Sequence, residues 1–251
     1  MRERIIEANR VWYEQHASDY STYRGSDDFL AEYVAHFDAD FALMGLAAGA
    51  LVADCCAGTG LLSRLFAERG CHVTAVDVSP AMLAHVEPPI ITVAADATDY
   101  LRAHGGFDCV VFGSALHHLW DYEEAVSVAL DSLRPEGILY VVAEPVAKQG
   151  LAKVVREGEF VWRKLRRDPL DVVPAIKRRL GYRHGSSSAE IVGLYAEVYA
   201  HGIDQQKVVT AVRARAQVLV LRESRSMWLR GVKRLVPSYG GDSFTLVARA
   251  H

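Results

Sequence analysis

Leu51-Val-Ala-Asp-Cys-Cys-Ala-Gly-Thr-Gly60 decides how the rest of this chain is read. A short apolar run ends in Asp54 and opens at once into Gly58-x-Gly60. Leu61, Leu62, Leu65 and Phe66 then recur at helical spacing. The order is strand, tight glycine loop, helix. Glycine lets such a loop turn at positive φ and bring its backbone close to a ligand. A dinucleotide fingerprint, Gly-x-Gly-x-x-Gly, needs a glycine or alanine where Ser63 stands. A phosphate-cradling P-loop needs Gly-Lys-Ser/Thr, and no lysine follows Gly60. Neither reading fits residue by residue.

Working outward, His72 to Val76 is a second strand ending at Asp77, 17 residues beyond Gly60. That is about the crossover length that sets an acid against a ribose hydroxyl, and a carboxylate can accept from both hydroxyls of a vicinal diol. Ser79 is suited to cap the next helix and Pro80 to its first turn. Ile90 to Ala94 is a third strand, leading into Asp96-Ala97, where Asp96 or Thr98 also reads as a plain helix cap. Phe107 to Phe112 is a fourth, uninterrupted after Asp108 as a strand covered on both faces should be. It runs into Gly113-Ser114-Ala115-Leu116-His117-His118-Leu119. A helix over Val126–Arg134, a turn at Pro135-Glu136-Gly137 and a fifth strand over Ile138–Ala143 complete the run. Alternation of strand and helix predicts an α/β, Rossmann-like doubly wound sheet, mostly parallel, with right-handed crossovers. Ligands of such sheets bind beyond the carboxyl ends of the strands. Asp54, Asp77, Asp96 and Ser114–His117 all fall at such ends.

With those residues in place, the stretch at 54–60 resembles the first motif of the class I S-adenosylmethionine (SAM) dependent methyltransferases, Asp/Glu-x-Gly-x-Gly-x-Gly. Asp54, Gly58 and Gly60 match, and Cys56 occupies the first glycine position. Asp77-x-Ser79-Pro80-x-Met82-Leu83 resembles the second motif, and Leu133-x-Pro135-x-Gly137 before a strand resembles a third. The likeness covers residues 50–145 and implies SAM as cofactor, S-adenosylhomocysteine as product, and methyl transfer to a small-molecule acceptor at O, N or C. It implies cofactor contacts from Asp54, Cys56, Ala57, Gly58, Gly60, Asp77, Val78, Met82, Asp96, Ala97 and Ser114, with Asp96 and Ala97 at the adenine amino group. His117 and His118 are the nearest side chains suited to proton transfer near neutral pH; the other reading has one of them positioning SAM or packing. Adjacent histidines diverge and no third ligand is near, so no metal site is expected. Glu144 is a further candidate for holding a polar acceptor.

The flanks are less explicit. Residues 1–24 read as a polar helix and an aromatic segment containing Trp12, Tyr13, Tyr20, Tyr23 and Arg24. This is similar to the lid that small-molecule methyltransferases fold over their ligands, where Tyr13 and Tyr20 would face adenine or sulfonium by stacking and cation–π attraction. The alternative is that these rings cover the core. Phe29, Leu30, Tyr33, Val34, Phe37 and Phe41 place a helix over 27–48. The expected organisation is a helical lid (1–45), a SAM-binding core (46–147), a helical insertion or cap (148–202), and a last part that completes the sheet with a final antiparallel strand (203–251). Gln217–Leu221 and Phe244–Ala248 are its strands, and Ser187-x-x-Glu190 is a capping box for a helix running to His201.

The totals narrow the partners. The amino-terminal segment carries charges where a signal peptide would be apolar, and Leu43 to Ala53, the longest apolar run, is too short to span a bilayer. The four cysteines form neither a disulfide framework nor a Cys-x-x-Cys site. A cytoplasmic chain with no membrane partner is the expectation. Residues 1–150 hold 9 Lys and Arg against 22 Asp and Glu, and residues 151–251 hold 19 against 9. The basic half is either a docking surface for nucleic acid or a face attracted to the acidic half, within the fold or in a homodimer. Gly113-Ser114-Ala115-Leu116 stands where amine-methylating nucleic-acid enzymes carry Asn/Asp-Pro-Pro-Tyr/Phe, which speaks against a nucleic-acid acceptor. Arg163–Arg167 and Lys177–Arg179 suggest an anionic one. The alternatives kept open are an RNA or protein methyltransferase, a cyclase or lyase that consumes SAM without transfer to a second molecule, and a non-enzymatic regulator of the same fold.

Overall fold

The structure, a computed structural model, describes residues 2–20, 27–167, 202–224 and 242–251. In chain order the elements are α1 (Arg2–His16), α2 (Asp27–Met44), β1 (Leu51–Cys55), α3 (Leu61–Ala67), β2 (His72–Asp77), α4 (Pro80–Leu83), β3 (Ile91–Ala94) and α5 (Ala97–Ala103). There follow β4 (Phe107–Gly113), α6 (Tyr122–Ser132), β5 (Leu133–Pro145), α7 (Gly150–Arg167), α8 (Gln205–Arg213), β6 (Ala216–Ser224) and β7 (Ser243–Ala250). One-turn 3-10 segments follow α1 (Ala17–Asp19) and β4 (Leu116–His118).

The seven strands form one sheet in the order β3-β2-β1-β4-β5-β7-β6. β1 to β5 pair in parallel, and β7 runs against both β5 and β6. This is the expected doubly wound sheet, with its last strand reversed. Side chains alternate along each strand, so the apolar runs feed two cores at once. Ala53, Cys55, Val110, Phe112, Leu139, Val141, Leu246 and Ala248 turn to one face, under α5, α6 and α8. Val52, Cys109, Val111, Ile138, Tyr140, Val142 and Val247 turn to the other, with Phe37 and Met44 of α2 and Leu62, Leu65 and Phe66 of α3. At about 1.5–3 kcal/mol for each fully buried large apolar side chain, the central strands hold the fold together. A parallel strand inside the sheet needs cover on both faces, and β1, β4 and β5 have it, whereas the edge strand β3 is largely exposed.

Local chemistry moves several boundaries from their expected places. Helix α6 begins at Tyr122, four residues before the apolar periodicity starts, because the Asp121 side chain accepts the Glu124 N–H at 2.9 Å. Glu123 and Glu124 then face the positive end of the helix. Strand β5 starts at Leu133 and takes in Pro135-Glu136-Gly137 as an irregularity, with Glu136 at φ 64° and a register shift opposite Phe107 and Cys109. Helix α8 has no counterpart in the sequence reading, although Asp204 caps it and Val208, Val209 and Val212 bury one face. Tyr23, Arg24, Pro169, Pro174, Lys177–Arg179 and the helix expected from Ser187 to His201 lie outside the described residues. No described helix is long and apolar enough to cross a membrane.

Candidate active site

The site is assembled where β1 and β2 end. Past Cys55 the chain turns sharply, with Cys56 at φ 58°, Gly58 at φ 56° and Gly60 at φ 77°. At Gly60 both geometry and space demand glycine, since a Cβ would meet Val86 Cγ2 at 2.8 Å. Asp77 pins this loop: one carboxylate oxygen accepts the Gly58 N–H at 2.9 Å and the other the Ser79 N–H at 2.9 Å. Ser79 caps α4 by accepting the Met82 N–H at 3.3 Å. Asp54 is buried one strand over and accepts the Ser63 hydroxyl at 2.6 Å. Ser63 is thus the residue that breaks the dinucleotide pattern, and its hydroxyl meets the strand-end acid. Burial pushes the Asp54 carboxyl up to about 7, with the Ser63 bonds opposing it. Burial also raises Asp77, against the pull of the N–H groups of Ser79, Gly58 and Val78.

A cavity of about 320 Å³ opens on this rim. Asp54, Cys56, Ala57, Gly58, Asp77, Val78, Asp96, Ala97, Ser114, His118, Tyr13 and Tyr20 all line it. Three of the expected residues do not. Gly60 turns its back on the cavity as the residue before α3. Met82 is fully buried beneath the loop, its Cε 3.3 Å from where a Gly58 Cβ would be. His117 faces the interior. The charged lining comprises Asp54, Asp77, Asp96, Asp121 and Glu124 against Arg2 and Arg64. An acidic, half-apolar cleft with a glycine loop along one wall fits a ligand carrying a sulfonium, a ribose and a base. Burial raises the Cys56 thiol well above its usual range, with Asp77 adding to the effect, so this sulfur is a neutral wall and not a nucleophile.

The adjacent histidines are sorted by their partners. His117 Nδ1 lies 2.9 Å from Glu144, while the Leu116 N–H donates to the same carboxylate at 2.7 Å. The Ala115 and His117 N–H groups donate to it as well. Glu144 is fully buried and closes the turn after β4. Its place as a partner for a polar acceptor is therefore corrected: the carboxylate is spent on four internal donors. His118 is the histidine that lines the cavity. Its Nε2 lies 3.2 Å from the Tyr13 hydroxyl, its ring stacks at a tilt 4.1 Å from that of His117, and its carbonyl accepts from Asn9 Nδ2 at 2.9 Å.

Helix α1 forms the roof. Arg2, Ile5, Ile6, Asn9 and Tyr13 line the cavity from it, and Tyr20 follows, its ring 5.7 Å from that of Tyr13. Arg2 pairs with Asp96 and Asp99, each at 2.7 Å, and so ties the helix to the rim. Trp12, by contrast, stacks on His16 at 4.2 Å, away from the cavity. Leu119 and Trp120 form part of the wall past β4, and Trp120 is half exposed. Sequence reasoning passes over Arg2, Ile5, Ile6 and Asn9. Their spacing of three and four gave a helix signal, but nothing in it says what the helix covers. Among the described residues no group of three His, Cys, Asp or Glu is placed to hold a metal.

Sheet order and reversed last strand are those of a Rossmann-like fold, and residues 52–137 match the methyltransferase domain family. Over 123 residues the chain is 34% identical to an uncharacterized methyltransferase of Mycobacterium bovis, covering 46% of this chain and 62% of that one. It is 36% identical over 104 residues to the demethylmenaquinone methyltransferase of Renibacterium salmoninarum, covering 40% and 44%. The chain thus spans less than two thirds of the length of these relatives. The magnesium protoporphyrin IX methyltransferase of Synechocystis, solved with S-adenosylhomocysteine bound, superposes with a TM-score of 0.61 at 14% identity over 98% of this chain and 100% of its own. The N-methyltransferase NodS of Bradyrhizobium japonicum, also with S-adenosylhomocysteine, gives 0.58 at 16% over 96% and 97%.

Proposed function

We propose that this protein is a SAM-dependent methyltransferase acting on a small-molecule acceptor, in the cytoplasm. The observation that carries the reading is the single cavity into which three successive strand ends deliver Asp54, Asp77 and Asp96 beneath a lid helix. The matched domain and the relatives named as methyltransferases support it, and the name of the Renibacterium relative supports a small acceptor. Bound there, SAM supplies a methyl group on a sulfonium leaving group. In this reading Asp77 accepts from the ribose, the turn at Cys56–Gly58 lets the backbone approach, and Asp96 with Ala97 takes the adenine edge; that all of them line one cavity supports it. The acidic lining favours a cation in the cleft. Ile5, Ile6, Leu119 and Trp120 give the acceptor an apolar wall.

What the protein adds to the chemistry is alignment and exclusion of water. For an acceptor that is protonated at neutral pH, Tyr13 and His118 are the pair to take the proton: the hydroxyl donates to Nε2 as it accepts from the acceptor, and the proton ends on His118. His117, held by Glu144, positions the neighbouring ring. The cations at 163–167 and 177–179 that suggest an anionic acceptor are not among the described side chains, and an anionic acceptor remains part of this reading.

The test is mass spectrometry of small molecules from purified protein incubated with SAM and a cell extract. S-adenosylhomocysteine together with a metabolite heavier by one methylene is the expected result. Methylthioadenosine without S-adenosylhomocysteine would replace this reading with lyase or cyclase chemistry. Tyr13→Phe should keep SAM affinity within about threefold while lowering turnover of that metabolite by about 10²-fold, the usual scale of a lost proton-transfer group.

A further inference from the structure

We propose that α7 is a membrane-surface helix that seats this protein on an anionic lipid bilayer. This rests on α7 alone and stands whether or not the proposed activity holds. The helix leaves the sheet at the cavity-bearing edge, starting five residues after β5 ends at Pro145. Within it, positions 151, 154, 155, 158, 161, 162 and 165 hold Leu, Val, Val, Gly, Val, Trp and Leu. At 3.6 residues per turn these seven fall within about 120° of arc. All the charged residues of the helix lie on the rest of the circumference: six Lys or Arg against two Glu.

An amphipathic helix in a globular fold turns its apolar stripe to the core. This one does not. Ala152, on the charged side of the wheel, is buried, with Val155 packed against it at the stripe's edge. Val154 is 64% exposed and Trp162 45%, and Gly158 between them is exposed. The middle of the stripe, Val154, Gly158 and Trp162, therefore faces outward, on a helix whose sequence carries net positive charge. What suits such a face is an apolar layer bounded by negative charge. A tryptophan beside an aliphatic stripe with Lys and Arg on the polar side is the pattern of helices that lie in the headgroup plane, and nothing in it requires the helix to span. A water-soluble acidic protein would match the charge but not the stripe.

The experiment is flotation of the full chain with phosphatidylcholine vesicles that contain or lack phosphatidylglycerol. The expected result is capture by the anionic vesicles, at least tenfold weaker on neutral ones and weakened by 0.5 M salt. The double variant Val154→Glu, Trp162→Glu changes two exposed positions; it should keep the parent melting temperature and lose capture at least tenfold. Absence of capture at low salt overturns the proposal, as does capture that survives the double variant. A dimer by light scattering that the variant dissolves would assign the stripe to a second copy instead. Slow amide exchange along α7 without vesicles would assign it to residues 168–201 of the chain itself. Either result replaces the bilayer.

Discussion

Cys56 sits at φ 58°, in the left-handed region where a side chain costs on the order of 1 kcal/mol. Glycine at this place in the motif follows from that angle. Removing the Cβ relieves strain but frees the unfolded chain, so Cys56→Gly should move stability by less than about 1 kcal/mol. Cys56→Val adds a β-branched side chain at the same angle and should lower it by about 2 kcal/mol in urea titration. Equal midpoints for the two variants would show that the turn is not strained. Asp54 makes a second residue-scale prediction. Its carboxyl is raised to about 7 in the fold and lies near 3.9 when unfolded. Between those values the folded state holds the extra proton, so this group's contribution to stability is fully present below about pH 4 and declines as pH rises through about 7. A cationic ligand favours the ionised form. SAM binding should therefore tighten from about pH 5.5 to 7.5, by up to tenfold per unit, and release a proton on the acid side. Calorimetry in buffers of different ionisation heat reads that proton, and Asp54→Asn should abolish both effects. A flat pH profile in the parent would remove Asp54 from the cofactor site.

At the scale of elements, the reversed β7 and the segment entering α8 are locked together behind β5. Ile203 donates to Pro145 O at 2.9 Å, Ala147 to Ile203 O at 2.9 Å, and Val146 to Asp242 O at 2.9 Å. Gly202 makes this crossing possible. It lies at φ 64°, and a Cβ there would come 2.7 Å from Pro145 O and 3.0 Å from Ala147 N. Backbone atoms cannot swing aside as a side-chain end does. Gly202→Ala should cost about 3 kcal/mol or more, seen as a lower urea midpoint, with the loss centred where β5 leaves the sheet. A change under about 1 kcal/mol would mean the crossing is loose. Elements differ in how far they can be read from sequence. Ser79 and Pro80 announce α4 because a cap is a local bond. Asp204 before a Val-Val-x-x-Val stripe is the same kind of signal for α8, legible once sought. The polar first turn of α6 has no apolar period, and only the Asp121 cap marks its start.

Across the whole molecule, the acidic and basic halves meet each other. Lys207 pairs with Glu123 at 2.8 Å, Arg249 with Glu136 at 3.9 Å, and Arg215 with Asp131. These are exposed pairs of about 0–1 kcal/mol each, and they take described cations away from any nucleic-acid surface. Arg222 differs. It grips Asp40, which is fully buried, through two bonds of 2.8 and 3.1 Å, and the Tyr140 hydroxyl donates to the same carboxylate at 3.3 Å. Helix α2, β5 and β6 are joined there. Arg222→Met should destabilise by about 3 kcal/mol because it leaves a buried charge alone, and adding Asp40→Asn should recover more than 1 kcal/mol of that. Additive losses would show the two side chains to be uncoupled. The sequence by itself determined the alternating elements from 51 to 145, the glycine loop and the acids at the strand ends, because each depends on neighbours within a few residues or on a periodicity of 2 or 3.6. Only the tertiary structure decided that His118 and not His117 faces the cavity, that Glu144 is consumed by internal donors, and that α1 roofs the site through Arg2, Asn9 and Tyr13. Those choices rest on contacts between residues 27 to 109 positions apart, and nothing local in the chain encodes which partner arrives.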